Sequence, residues 1–188
     1  MCSFLANIDT VLFYAVNHGW QNRFFDIIMP IVTNIKYWKI PLLAAWLCLM
    51  IFGGKKGRIT GIVLVASLIL IDFLNSYPLK FLFARIRPCN ALPDVRTLVS
   101  TSTSYSFPSS HAANIFGMVT ILSKKYKNFR FCFFFIALVV GISRIYVGVH
   151  YPFDVFAGAV VGIFCGLGAL KLEKYVLRRI EVARQKSL

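Results

Sequence analysis

The chain has 188 residues, 58% of them hydrophobic and 15% charged, with 21 Lys and Arg against 7 Asp and Glu for a formal net charge of +14. That balance is too apolar for an ordinary soluble domain and predicts a polytopic membrane protein. The cations cluster in short runs with no basic–aromatic surface beside them, which argues against a nucleic-acid partner.

In chain order, the N-terminus "MCSFLANIDTVLFYAVNHGW" lacks a basic n-region and a small-residue cleavage site, so no cleavable signal peptide is expected. Residues 4–17 set Phe4, Leu5, Ile8, Leu12 and Tyr14/Ala15 at helical spacing, with Asn7 and Asp9 between them. This pattern predicts an amphipathic helix lying at the membrane interface on the outer side. Residues 24–35 are apolar but short, and Pro30, Lys36 and Lys39 crowd them. A spanning helix needs about 20 mostly apolar residues. The runs 59–83, 131–147 and 153–172 meet that length, and 38–53 meets it when extended backward. Asp72, Asn75 and Pro78 interrupt the run 59–83, and 111–123 is shorter, extended by its preceding loop. The expected fold is an all-α polytopic membrane helix bundle of about five transmembrane helices, alternatively six, behind the interfacial helix. A single membrane-embedded domain is expected over 1–188, with a motif core at 80–154 and a basic cytoplasmic tail at 171–188.

The basic runs "KKGR" (55–58), "KKYKNFR" (124–130) and "KLEKYVLRRIEVARQK" (171–186) mark the cytoplasmic side. The run 59–80 then travels outward, 111–123 returns, and 131–147 goes out again. Three polar stretches consequently fall on one outer face of the cell (inner) membrane, facing the periplasm or outside. Cys2, Cys48, Cys89, Cys132 and Cys165 show no metal-ligand spacing, no structural disulfide is expected, and Cys89 is placed outside. Asp72 is an intramembrane carboxylate two turns before Lys80. Its expected partner is Lys80 or Asn75, or a hydrogen bond to a neighbouring helix.

The first polar stretch is "KFLFARIRP", with Lys80, Arg85 and Arg87. Seven residues make almost two helical turns, so Lys80 and Arg87 are expected on one helix face, with Pro88 biasing Arg87 out of the helix. Arg suits bidentate pairing with phosphate and Lys acts as a point charge, although three cations can also simply snorkel to lipid headgroups. The second stretch is "SFPSSHAANIFGMVTIL", residues 106–122. Ser109 or Ser110 can cap a helix starting near His111, whose free N–H groups favour an anion. A capped helix with a solvated His111 is the plain alternative. The third is "SRIYVGVHYPFD", with Arg144, His150 and Asp154. The spacing from His150 to Asp154 can bring carboxylate to imidazole, fixing the tautomer and supporting charge on the ring. A first-turn acid favouring the helix dipole is the plain account of Asp154. Taken together, the three stretches predict a phosphate site with a nucleophile and an acid.

These stretches resemble the three motifs of the type 2 phosphatidic acid phosphatase family. "KFLFARIRP" is similar to its Lys, six residues, Arg-Pro. "PSSH" is similar to Pro-Ser-Gly-His, with Ser110 at the usual glycine position, which puts any left-handed backbone there in doubt. "SRIYVGVHYPFD" is similar to Ser-Arg, five residues, His, three residues, Asp. The resemblance implies an α-helical core shared with soluble vanadium haloperoxidases and metal-independent hydrolysis of phosphate esters, with no cofactor. It implies His150 as nucleophile, Asp154 as its orienting partner and His111 as general acid. Lys80, Arg87 and Arg144 would bind phosphate oxygens, with Ser109 and the Ser110 amide beside them. Arg85, in the variable part of the first motif, is the weakest phosphate-ligand candidate. The expected partners are the bilayer and a membrane lipid phosphate or diphosphate, such as lipid A 1-phosphate, undecaprenyl diphosphate, phosphatidylglycerophosphate or phosphatidic acid. The alternatives are a lipid phosphotransferase using the same site and a non-catalytic lipid-binding protein.

Overall fold

The computed structural model describes residues 2–101 and 103–186. Regular structure among them is helical. The longer elements are α1 (Cys2–Asn17), α2 (Arg23–Thr33), α3 (Ile35–Phe52) and α4 (Gly54–Leu74). A π-helical turn, Asn75–Leu79, leads into the short α5 (Lys80–Phe83), and α6 (Pro88–Ala91) follows. The chain closes with α7 (Ser110–Lys125), α8 (Arg130–Tyr146) and α9 (Pro152–Lys186). Among the described residues, four helical stretches are long and apolar enough to cross a membrane: Ile35–Phe52, Gly54–Leu74, Lys127–Tyr146 and Pro152–Gln185. The 16-residue α7 packs against α4, α8 and α9 at the centre of the bundle.

Small residues set that centre. Gly158, Gly162 and Gly166 recur every fourth position along α9, and a Cβ at each would run into the backbone of Ser109, Ala113 and Gly117 in turn. The two helices therefore run parallel with their backbones in close approach. Ile71 meets Gly117 while Asn75 meets Pro108 and Ser110, so α4 runs antiparallel to α7. Val155 sits at Gly141, which sets α8 antiparallel to α9. This alternation gathers the end of α4, the start of α7, the end of α8 and the start of α9 at one end of the bundle. The basic turns lie at the other end, where Lys56 stacks over the Tyr126 ring at 4.7 Å.

The helix α1 presents the apolar side expected of it outward, with Phe4, Leu5 and Leu12 exposed, while Asp9, Phe13 and Asn17 turn inward. The reason for the inward polar side is hydrogen bonding. Asn17 Nδ2 donates to the carbonyls of Arg96 (2.9 Å) and Tyr146 (2.7 Å), and Asp9 accepts from the Phe153 N–H (2.9 Å). Those backbone groups need partners, and apolar side chains could not supply them. The 171–186 stretch continues α9, and Lys125 pairs with Glu173 to hold it against α7. Finally, Asp72 is exposed, and no ion pair joins it to Lys80 among the described residues. Asn75 is engaged elsewhere.

Candidate active site

Lys80 reaches the interior because of a change in helical pitch. The buried face of α4 runs through Gly57, Thr60, Gly61, Leu64, Ser67 and Ile71 and continues to Asn75 and Lys80. The last step is five residues, which would rotate a side chain about 140° off the face of an α-helix. The π-helical turn over Asn75–Leu79, where Pro78 cannot donate to the ladder, widens the helix there. Lys80 consequently stays on the buried face, 9% exposed.

Lys80 and Arg87 do not share a helix face, contrary to the expectation from their spacing. Ala84 adopts a left-handed conformation (φ 44, ψ 34) that ends α5, and Arg87 is extended before Pro88 (φ −67, ψ 151). The two cations meet at Ser104 instead. Its hydroxyl lies 3.5 Å from Lys80 Nζ and accepts from Arg87 Nη2 at 3.0 Å, while its carbonyl accepts from Arg87 Nε at 2.8 Å.

The third motif folds back on itself. The Arg144 carbonyl accepts from the N–H groups of Val149 and His150, both at 3.3 Å, closing a turn in which Gly148 takes φ +85. His150 is 2% exposed, with Nε2 at 3.2 Å from Arg87 Nη1. A guanidinium can only donate, so Nε2 must be the unprotonated nitrogen and Nδ1 carries the proton. Asp154 Oδ2 lies 3.5 Å from Nδ1. Burial first, then Arg144, Arg87 and Lys80, push the His150 pKa well below the ordinary value, which keeps the ring neutral. The result is a desolvated imidazole whose Nε2 lone pair accepts from Arg87 and faces the cations.

Arg144 donates from Nη1 to Thr33 Oγ1 at 2.7 Å, while its buried Nε has no partner among the described residues. Thr33 is held in reach because Asp26, on the same helix α2, is gripped by Tyr146 (2.6 Å) and Arg96 (2.7 Å). Lys80, Arg87 and Arg144 are 9%, 5% and 9% exposed. Among the described residues, none of the three pairs with a carboxylate. Three buried cations that meet hydroxyls, carbonyls and the His150 ring, with no carboxylate among the described residues, form a site suited to an anion.

The second motif faces this cluster. The Ser109 side chain caps α7, and its N–H donates to the Asp154 carbonyl at 2.9 Å, joining the second and third motifs. Ser110 is the first residue of α7 and its backbone is not left-handed. Its hydroxyl accepts from Asn75 Nδ2 at 2.8 Å, so the departure from glycine is absorbed by a side-chain contact. His111 is half-buried in the first turn, within electrostatic range of Arg144, His150, Arg87 and Lys80.

Arg85 stands apart from the three cations. Its Nη1 donates to Asp154 Oδ1 at 2.8 Å, and its Nη2 pairs with Asp9 Oδ2 at 2.6 Å. Two carboxylates engage it, which removes the expectation that it is free for phosphate. Asp9, Thr33, Asn75 and Ser104 escaped the reading of the sequence as site components. Asp9 and Asn75 carried a signal, since each is a polar residue in an apolar helix. Thr33 and Ser104 carried none. Among the described residues, no group of three or more His, Cys, Asp and Glu side chains could hold a metal ion.

The chain matches the PAP2 superfamily over residues 60–178. It is 30% identical over 175 residues to a lipid A 4'-phosphatase of Bacteroides thetaiotaomicron, covering 88% of this chain and 77% of that protein. It is 36% identical over 126 residues to an undecaprenyl-diphosphatase of Sulfolobus acidocaldarius, covering 66% of this chain and 60% of that protein. Its structure resembles that of Aquifex aeolicus LpxE with a TM-score of 0.72 and 30% identity, over 87% of this chain and 95% of that chain.

Proposed function

The chain belongs to the PAP2 superfamily, and from that premise we propose a membrane lipid phosphatase whose site is the cluster of Lys80, Arg87, Arg144, His111, His150 and Asp154. The observation that carries this reading is the set of three buried cations, unpaired with any carboxylate among the described residues, around a neutral imidazole. The substrate is a lipid phosphate or diphosphate, the class named for the lipid A phosphatase and undecaprenyl-diphosphatase relatives.

The chemistry runs in two steps. Nε2 of His150 attacks phosphorus as the bond to the lipid oxygen breaks, and that oxygen takes its proton from His111. The substrate's negative charge offsets the surrounding cations, which favours imidazolium at His111. His150 keeps its Nδ1 proton, so the phosphorylated ring is cationic and Asp154 supports it. Water then attacks phosphorus, losing a proton to His111, and inorganic phosphate leaves with His150 restored. Lys80, Arg87 and Arg144 hold the equatorial oxygens throughout.

The whole chain acts as one membrane-embedded unit, with α7 crossing between the two ends of the bundle. The basic turns face the cytoplasm and the site faces outward in the cell (inner) membrane. Cys89 is half-buried and burial raises its thiol pKa, so it is a poor reporter of side. The exposed Thr97 is a better position. In a Thr97→Cys variant lacking native cysteines, an impermeant thiol reagent labels intact cells. Labelling only after the membrane is opened overturns the orientation.

The test of activity is phosphate release in detergent and chelator from lipid A, undecaprenyl diphosphate, phosphatidylglycerophosphate and phosphatidic acid. Free phosphate from at least one, lost in His150→Ala, supports the reading. Label appearing in a second lipid instead of free phosphate makes it a transferase. Activity that returns only with added divalent cation contradicts a site built on Lys and Arg.

A further inference from the structure

The N-terminal helix reaches the partner of the proposed nucleophile through Arg85. Asp9 on α1 is fully buried. Its Oδ1 accepts from the Phe153 N–H at 2.9 Å, and its Oδ2 pairs with Arg85 Nη2 at 2.6 Å. The other end of the same guanidinium donates from Nη1 to Asp154 Oδ1 at 2.8 Å, and the group lies over the Tyr151 ring at 3.8 Å. Asp154 is fully buried too, and its remaining oxygen, Oδ2, accepts from the Tyr151 N–H at 2.9 Å and faces His150 Nδ1 at 3.5 Å.

Charge explains why two carboxylates share one cation. Arg85 and Asp154 alone would sum to zero, leaving little net field at His150. Asp9 brings the trio to one net negative charge, and the fork of Arg85 lets each carboxylate hold a separate nitrogen. The phosphorylated imidazole of the proposed mechanism carries one positive charge, which this trio complements. The fork also aims the carboxylate: with Oδ1 fixed by Arg85, Oδ2 is the oxygen that faces the ring. Lys cannot replace it, because one ammonium offers no planar pair of donors.

We infer that Asp9 and Arg85 are positioning residues for the His150–Asp154 pair, which makes α1 part of the active-site machinery. Asp9 lies outside the segment 60–178 that matches the superfamily, and Arg85 lies in the variable stretch of the first motif. The inference rests on His150 being the nucleophile, as proposed above.

The test is single-turnover phosphorylation and steady-state kinetics of the full chain in detergent, with p-nitrophenyl phosphate and a lipid phosphate as probes. Asp9→Asn keeps the size of the side chain and an acceptor for Phe153 while removing its charge. It is expected to slow phosphorylation about 10–100-fold, the cost typical of losing a group that orients a functional histidine. KM stays near wild type, because the three cations are untouched, while loss of the buried charge lowers the thermal midpoint. A structural role alone would lower the midpoint and the amount of active protein, leaving the rate per active site unchanged. Arg85→Lys carries the same expectation and decides the matter should Asp9→Asn fail to fold. The double variant Asp9→Asn/Arg85→Lys should lose little beyond the worse single one, since the two act as a unit. Wild-type phosphorylation rates in both single variants overturn the inference. A wild-type protein that never phosphorylates His150 overturns the mechanism beneath it, a result that the wild-type control reports separately.

Discussion

Cations crowd both ends of this helix bundle, and their surroundings divide them. At one end Lys55, Lys56, Arg58, Lys124 and Lys127 are exposed. At the other, Lys80, Arg87 and Arg144 are buried on Ser104, Thr33 and backbone carbonyls, without a carboxylate among the described residues. An exposed cation is hydrated and screened, so its effect is a general field that orients the chain in the membrane. A buried one has lost its water and is compensated fully only by an anion. On the proposed reading, the same residue types serve topology at one end and ligand binding at the other.

The largest effects should come from the histidines at the buried end. His150→Ala is expected to lose at least about 10⁴-fold in turnover whatever group leaves, as when a nucleophile is deleted. His111→Ala should lose about 10²–10⁴-fold on a lipid monophosphate, whose alkoxide needs the proton. With p-nitrophenyl phosphate it should still phosphorylate, giving a burst of nitrophenol and then slow turnover. A burst from His150→Ala and none from His111→Ala would exchange the two roles.

Next come the cations themselves. Arg144→Ala should cost about 10²–10³-fold in kcat, the scale of removing one preorganised donor to transition-state charge. Thr33→Val, which removes only the anchor of that guanidinium, should cost about tenfold, in line with one hydrogen bond to a charged group. Equal losses from Lys124→Ala and Arg144→Ala would erase the distinction between the two ends.

A smaller effect concerns pH. Burial and the neighbouring cations hold His150 neutral, so phosphorylation by His111→Ala from the aryl phosphate should stay flat as pH falls through about 6.5, where a free histidine protonates. An acid limb centred near that value would mean the nucleophile is solvated. The sign for stability follows from the same shift. Below about pH 6.5 the unfolded chain binds a proton at this position that the folded chain does not. Stability therefore falls as pH drops below that value, and the loss saturates only below the depressed folded value. His150→Gln should flatten that part of the pH dependence of the thermal midpoint.

The smallest effect belongs to the exposed end. Lys124→Ala or Lys127→Ala should leave turnover within about twofold and change stability by no more than about 0.5 kcal/mol. Removing several of these cations together should instead scramble the labelling of Thr97→Cys in intact cells.

The helices that turn their apolar sides outward were largely legible in the sequence, since α3, α4, α8 and α9 announce themselves by length and hydropathy. The three motifs were legible as stretches, and the structure brings Lys80, Arg87, Arg144, His150 and Asp154 together at one end. Local conformation was harder to read. Seven residues between Lys80 and Arg87 look like two helical turns, but the π-helical turn and the left-handed Ala84 make a different path. Neither has a short-range residue code, because both depend on what the buried face must meet. Long-range partners were hidden for a related reason. The pairings Thr33 to Arg144 and Asp9 to Arg85 span large sequence separations, and only packing brings them together.

The central claim is that His150, set among buried cations, takes the phosphoryl group. Acid-free rapid quenching with a radiolabelled lipid phosphate, followed by peptide mapping at alkaline pH, tests it most directly. The account predicts a transient label on the peptide containing His150, on Nε2, absent in His150→Ala and accumulating in His111→Ala with an aryl phosphate. Label on His111, or full hydrolysis with no labelled histidine at any time, would contradict it.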